Sequence, residues 1–542
     1  MMSGNKSPSP PPFLAARPAD QALSSFRYGR SLLEKGRIEE ASTHFRKAFD
    51  IDPSMTEALA YMGKACEMSG HLEKAEELYK QVLAARPDME EIVFALGNLF
   101  LNQGRLEESE LIYRYGLSMK PGSPAMHNNL ANVLKARGDL GKAEDHYRQA
   151  ISIDPAFAVS LYNLGTMLLK QGRFHEAQRH LDRCVDLKPD FAPAIDNLGN
   201  TFMELGEYGS AEKCYRKALA AAPDSHDAAF DLSYLLLLHG NYDEGLKLYE
   251  KRLEKAEFSY LRATRQQKDP GISGRTILVR CEQGLGDTLQ FVRFLPLLKE
   301  RGGRVIFESQ PQLAELLSLS QGADGIVPRK ADLSVPHVPH DRSEPLMSLP
   351  HILGTTVDSI PARVPYIFID NNKKKKWMEK TAVHRAGKFM LVGIAWSGNK
   401  RYAGDTARSV TFSDLLPLLS MSGIRFYSLQ YGEAVKEAER LFPENLSIVT
   451  EDIKDFTETA GLICNLDLVI TVDSVIAHLA GALGAQVWNL LPYVPDWRWL
   501  LEREDSPWYP TMRLFRQRSL NDWPETVERV RIALTELRNT LI

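Results

Sequence analysis

Three short stretches carry side chains that could do chemistry. In Ile277-Leu-Val-Arg-Cys-Glu-Gln-Gly-Leu-Gly-Asp287 an apolar run hands over to Gly284 and Gly286, and Asp287 follows. Glycine permits a tight turn and a close approach that a Cβ would forbid. Asp287 stands where a helix N-cap belongs, and its carboxylate serves equally as a cap or as a base at the mouth of a crevice. In the second stretch, Ser397, Gly398, Asn399 and Lys400 lead into Arg401, with Arg408 beyond. Cations beside glycine N–H groups suit a pyrophosphate. In the third, Asp473 and Ser474 open an apolar helical pattern, where the helix dipole favours an anion. His478 lies one turn further along the same face, the usual place of a packed structural histidine as well as of a ligand.

All three stretches need rigid elements behind them. Residues 277–279 form a short β-favouring run, and 289–298 an apolar helical face. Strands are expected at 304–308 and 325–327, a helix at 310–319, and an ordered loop with short helices over 332–367. A second series places strands at 389–396, 425–430, 466–472 and 486–491, with helices at 412–421, 456–464 and 475–483, the last ended by Gly484. Strands alternating with helices give parallel sheets. The loops 282–288, 397–409 and 473–478 then fall at strand carboxyl ends, where open α/β folds bind ligands. The expected divisions are a first α/β domain over 275–370, a hydrophilic connector over 371–388, a second α/β domain over 389–518 and a C-terminal helix over 519–542. The lysine run 373–376 in the connector reads as solvated surface.

At 542 residues the chain exceeds one core. Its net charge of −4 gives no basic bias towards nucleic acid. The five cysteines are scattered without metal-ligand spacing, which suggests reduced thiols and a cytoplasmic chain. No apolar run is long enough for a membrane span. Residues 1–21, rich in serine and proline, read as a disordered tail.

The first half repeats. Gly36, Gly70, Gly104, Gly138, Gly172, Gly206 and Gly240 recur every 34 residues, and prolines fall at 53, 87, 121, 155, 189 and 223. A small residue recurs at 29, 63, 97, 131, 165, 199 and 233, and an aromatic at 45, 79, 113, 147, 215 and 249, with Leu181 in the remaining place. This register resembles tetratricopeptide repeats, two antiparallel helices per unit, seven units over 22–259. A capping helix and linker follow over 260–274. Such solenoids present a concave surface lined by first helices. Asn129, Asn163 and Asn197 share one repeat position; Asn98, Asn132 and Asn200 share another. Amide columns can bond an extended peptide backbone; the plain alternative is that asparagine is common at these repeat positions. The columns resemble the asparagine ladder of the O-linked N-acetylglucosamine transferases.

Gly284-Leu-Gly-Asp287 after a strand, together with Val472-Asp-Ser-Val-Ile-Ala-His-Leu-Ala-Gly-Ala-Leu483, resembles the heptosyltransferase-type (family 9) glycosyltransferases over about 275–518. The second motif is the more diagnostic. The resemblance implies a GT-B fold of two Rossmann-like domains behind the α-solenoid, and a metal-independent, inverting transfer from a nucleotide-sugar, with no cofactor. It implies Asp287 as general base; Asp473, Ser474 and His478 as donor ligands; Ser397 to Lys400 and Arg408 as phosphate contacts; and Gln430 beside the base. The acceptor-side unit is short for the family, and repeats are attached, so a protein acceptor is expected, as in repeat-bearing transferases acting on flagellin. The aromatic stretches 493–499 and 506–510 are expected to pack an interface, with Arg498 facing the cleft. The rival readings are a non-catalytic scaffold with a degenerate sheet region, and a transferase acting on lipopolysaccharide or another glycan. Repeat arrays often self-associate, so a homo-oligomer is also open.

Overall fold

The computed structural model describes residues 17–263, 271–320, 322–398, 405–441 and 443–541. The chain divides into two compact units, 1–189 and 190–542.

In the first unit ten helices run from Pro18–Glu34 to Phe174–Leu187 as five antiparallel pairs. The first helix begins at Pro18, ahead of the expected start at 22, because proline at the first helical turn lacks only an N–H that would be orphaned anyway. Residues 1–16 of the expected tail lie outside the described residues. The repeat glycines do what their spacing requires. Gly36, Gly70, Gly104, Gly138 and Gly172 all have φ between +72° and +85°. A Cβ at Gly63 would stand 2.6 Å from the Tyr79 ring, so the small residue admits the large one across each pair. Arg105 bridges Glu76 of the preceding repeat and Glu108 of its own, and Arg173 repeats the pattern with Glu144 and Glu176.

The second unit opens with four more helices of the same register, Ala192–Glu204, Tyr208–Ala221, His226–Leu238 and Tyr242–Tyr249. A short helix at Ser259–Arg262 follows; the expected linker falls mostly on 264–270, outside the described residues. Strands β1 (Thr276–Arg280), β2 (Arg304–Ser309), β3 (Gly325–Pro328) and β4 (Arg342–Pro345) form one sheet. Strands β5 (Met390–Ala395), β6 (Ile424–Ser428), β7 (Leu446–Ser447), β8 (Leu468–Val472), β9 (Val487–Leu491) and β10 (Met512–Arg516) form another. The orders are β3-β2-β1-β4 and β10-β9-β8-β5-β6-β7, and every pair is parallel. Strand order therefore reverses between β1 and β4, and again between β5 and β8. These reversals open the crevices where such sheets take ligands.

Alternation assigns the faces of the larger sheet. Val392, Ile394, Phe426, Ile470 and Trp488 face the core shared with the C-terminal helix Trp523–Leu541. Leu391, Tyr427, Val469 and Val487 face the opposite way, into a core that also holds Leu235, Tyr242 and Tyr249 of the seventh repeat and Val279 and Phe307 of the smaller sheet. The last two repeats are thus built into the same core as both sheets.

The expected connector is instead a helix, Asn371–Ala386, capped by Asp370. Its Trp377 is fully buried and donates to Glu458 at 2.8 Å, while Lys373 and Lys376 reach the same carboxylate. Part of the lysine run is therefore bound to a buried partner, and the tryptophan drives the helix onto its neighbour. Strands β4, β7 and β10 were not expected. β4 is Arg-Ser-Glu-Pro, with no β-favouring residue, and is held by its register with β1.

Candidate functional site

β1 ends at Arg280, and the helix Leu285–Phe291 starts with Gly284 at its N-cap. Asp287 is the third residue of that helix, not its N-cap, and its carboxylate accepts from the Gly284 N–H at 2.8 Å. Its other oxygen accepts from Arg498, whose Nη1 bonds both oxygens of Asp496 at 2.9 and 3.0 Å. Burial raises the Asp287 pKa above the ordinary carboxylate range, against the pull of Arg498.

β8 ends at Val472, and Ser474 caps the helix Val475–Ala482 through the Ile476 N–H. Asp473 immediately precedes the cap. Burial and the nearby Asp496 push its pKa up. His478 is buried, stacks on Trp499 with ring centroids 5.5 Å apart, and shares a 3.0 Å hydrogen bond with the Tyr509 hydroxyl. Its Nε2 lies 3.9 Å from Asp473 Oδ1. Burial first, then the charges of Arg498, Arg293 and Arg408, hold its pKa well below the usual imidazole value, so it is neutral at physiological pH.

The two strand-end helices meet. A Cβ on Gly286 would stand 2.8 Å from His478 Cδ2, so the glycine allows the smaller sheet's helix to lie against the larger sheet's. Arg293 and Trp497 reinforce the junction. Arg293 donates to the Trp508 carbonyl and to the Tyr366 hydroxyl, and its guanidinium lies 4.5 Å from the Tyr509 ring centre. Trp497 packs on Tyr242, Tyr249, Phe291 and Trp508. The aromatic stretches are packing residues: Trp497, Trp499 and Trp508 are fully buried.

After β5, the loop expected to hold phosphates is partly described: Asn399 and Lys400 lie outside the described residues. The Gly398 N–H donates to Ser409, and Arg408 pairs with Asp405 at 3.1 Å. Gln430, expected beside a nucleobase, is spent on this loop. Its Oε1 accepts from the Trp396 and Ser397 N–H groups, and its Nε2 donates to the Ser397 and Tyr431 carbonyls. An amide with both ends saturated positions the loop and has nothing left for a base.

A cavity of about 270 Å³ opens beside Asp473 and Arg408; Asp287, Ser474 and His478 do not line it. Arg408, Asp473 and Asp496 line one side; Asn200, Asp231 and Tyr234 of the repeats line the other. Asn200 Oδ1 accepts from the Tyr215 hydroxyl at 2.8 Å, and its Nδ2 donates to Asp231 at 2.9 Å. Burial raises Asp231 to about 6. Sequence reasoning missed Asp231, Tyr234 and Asp496. The first two read as ordinary first-helix positions, and only the approach of the repeats to the β8 loop brings them to the cavity.

Of the remaining asparagines, Asn98 and Asn132 bond within their own repeats, and Asn129 and Asn163 bond to the preceding repeat. Asn98 and Asn132 accept from the hydroxyls of Tyr113 and Tyr147. Asn129 donates to Tyr113, and Asn163 donates to Asn128, a buried amide the repeat pattern did not single out. Asn197 is half-buried on Ala192–Glu204. Among the described residues no group of three or more His, Cys, Asp or Glu is placed to hold a metal ion, and no helix is long and apolar enough to cross a membrane.

The fold and these contacts define a tetratricopeptide-repeat array followed by parallel sheets with helices. Sequence models of the tetratricopeptide repeat match residues 26–90 and 197–265, 68–133, and 122–190. Residues 26–265 therefore carry these repeats, whose general use is to bind peptide or protein partners. Among curated proteins, the chain is 27% identical over 288 residues to Protein FlbA of Caulobacter vibrioides, covering 49% of this chain and 47% of that one. The chain thus spans about half the length of that relative. PilF of Pseudomonas aeruginosa aligns with 39% of this chain and 96% of its own at 17% identity and TM-score 0.35. MamA of Desulfovibrio magneticus RS-1 aligns with 32% and 97% at 19% identity and TM-score 0.29.

Proposed function

We propose that the chain is a glycosyltransferase of GT-B type that moves a sugar from a nucleotide-sugar to a hydroxyl of a polypeptide held by the repeats. One observation carries this reading: a single cavity is lined at once by Asp473, directly after β8, by Arg408 of the segment beyond β5, and by the repeat residues Asn200 and Tyr234. A donor bound over the β5/β8 reversal would lay its diphosphate near Arg408 and the helix end at Ser474, where positive charge stabilises the leaving group. Asp287 would take the acceptor proton as the new glycosidic bond forms and the bond to the diphosphate breaks. A base whose pKa is raised by burial works nearer neutral pH than a free carboxylate. Asp473 and Ser474 would orient the donor, with neutral His478 behind them.

One observation favours a second reading, a scaffold without catalysis. Asp287 is engaged by both the Gly284 N–H and Arg498, as a purely structural carboxylate would be. The two are separated by incubating the full chain with a panel of labelled nucleotide-sugars and scoring donor hydrolysis and labelling of protein. The transferase reading expects turnover that Asp287→Asn lowers at least about 100-fold while the fold is kept. Turnover by none of the panel, or turnover that the substitution does not so lower, contradicts it.

A further inference from the structure

A chain of hydrogen bonds runs from the repeat array to Asp287. The Tyr234 hydroxyl, on the helix His226–Leu238, donates to Asp496 Oδ2 at 3.1 Å. Asp496 holds Arg498 Nη1 through both oxygens, and Arg498 Nη2 donates to Asp287 Oδ1. Asp496 also accepts from the Arg498 backbone N–H at 3.0 Å, which fixes the carboxylate at the start of the turn Trp497–Trp499. Arg498 is buried, with its charge 4.9 Å from the Trp497 ring centre and 5.5 Å from that of Phe291. It is thereby confined between two carboxylates, and what one gains in its attraction the other loses. Tyr234 and Asp496 both line the cavity, so this end of the chain is open to an occupant, while the other end is the carboxylate.

Resting on the transferase reading, we propose that Tyr234 of the seventh repeat is a positioning residue that acts through Asp496 and Arg498 on the Asp287 carboxylate. The repeats then do more than collect a partner: an occupant of the cavity wall that takes the Tyr234 hydroxyl or crowds Asp496 resets the base.

The sign follows from charge sharing. The Tyr234 O–H offsets part of the Asp496 charge. Without it Asp496 attracts Arg498 more strongly, and a less compensated negative charge also stands near Asp287. Both effects favour the protonated form of Asp287. Removing the Asp496 charge does the reverse, because Arg498 is released to Asp287 alone. The other groups facing Asp287 are Glu282 on its own loop, Tyr249 from the repeats, and the Asp473 and His478 pair across Gly286. All remain in place in both variants.

The test is carbon-13 NMR of the full chain labelled at aspartate Cγ, with the Asp287 signal assigned by its loss in Asp287→Asn. In Tyr234→Phe the Asp287 midpoint is expected to rise by roughly half a unit to one unit, or about 3- to 10-fold less carboxylate on the acid limb. In Asp496→Asn it is expected to fall. Any acid limb of kcat/KM should move with it. An unmoved midpoint in Tyr234→Phe, or movement of both variants in the same direction, overturns the proposal. Tyr234→Phe removes one oxygen and keeps the ring, so it decides the matter alone if Asp496→Asn does not fold. The titration needs no turnover. A chain that transfers no sugar sinks the functional reading and leaves this result standing; an active chain with an unmoved midpoint sinks only the positioning role.

Discussion

A carboxylate that accepts from a helix N–H and from a buried guanidinium is oriented before any substrate arrives. Asp287→Asn keeps an acceptor for Gly284 but turns its NH2 towards the buried Arg498, which retains Asp496, so thermal stability should fall by about 1–3 kcal/mol. Loss of the base should reduce transfer about 10²- to 10⁴-fold, measured as initial rates. Asp196 makes a separate prediction at this scale. It is buried with one oxygen unpartnered, and burial together with Asp231 and Asp227 pushes its pKa up to about 8. Its folded pKa exceeds the unfolded one, so the native state binds the extra proton and stability falls as pH rises from about 4 to about 8. Asp196→Asn should therefore raise the melting temperature at pH 8 and leave it nearly unchanged at pH 4. Equal shifts at both pH values would contradict the assignment. The placement of Asp287, Asp473 and His478 at strand-to-helix turns was legible in the sequence, because that patterning marks such positions. The partners were not. Asp496 reads as a turn residue and Tyr234 as a helical one until tertiary packing brings the two side chains within 3.1 Å.

Elements carry the site by close approach. The helix Leu285–Phe291 lies against Val475–Ala482 because Gly286 has no side chain where the His478 ring passes. Gly286→Ala should force these helices apart, at about 1–3 kcal/mol, and should weaken nucleotide binding. Chemical denaturation and calorimetry read the two effects; a fully stable variant with unchanged binding would show that the helices do not set the site. The repeat helices were legible because period, turn glycine and small residue all point the same way. The strands β1, β2, β3, β5, β6, β8 and β9 were legible for another reason, short apolar runs alternating with helical patterns. The helix Asn371–Ala386 was not: its lysines read as a solvated connector, and only Trp377, buried on Glu458, shows what holds it. Strand β4 was hidden because its residues gain their conformation from β1, not from their own preference.

At the scale of the molecule, the compact division falls at residue 189, two repeats before the end of the repeat pattern. A buried ion pair accounts for part of this. Arg252, just after the last repeat helix, donates through Nε and Nη2 to Glu282 at 2.9 Å each, and Glu282 also accepts from the Met347 N–H. Arg252→Met would leave a buried carboxylate without its partner. It should cost about 3–5 kcal/mol, and Arg252→Met with Glu282→Leu should recover much of that. Because Leu235, Tyr242 and Tyr249 share a core with both sheets, a fragment starting at 190 should unfold cooperatively, whereas one starting at 275 should not. The central claim is that the cavity joining Arg408 and Asp473 to the last repeats receives an activated sugar. The most direct measurement is a thermal-shift titration of the full chain with nucleoside diphosphates and nucleotide-sugars. A ligand at about 100 times its Kd should stabilise the fold by about 2.7 kcal/mol, and Arg408→Ala should remove most of that gain. Stabilisation by no nucleotide, or by one that Arg408→Ala and Asp473→Ala leave untouched, would contradict the account.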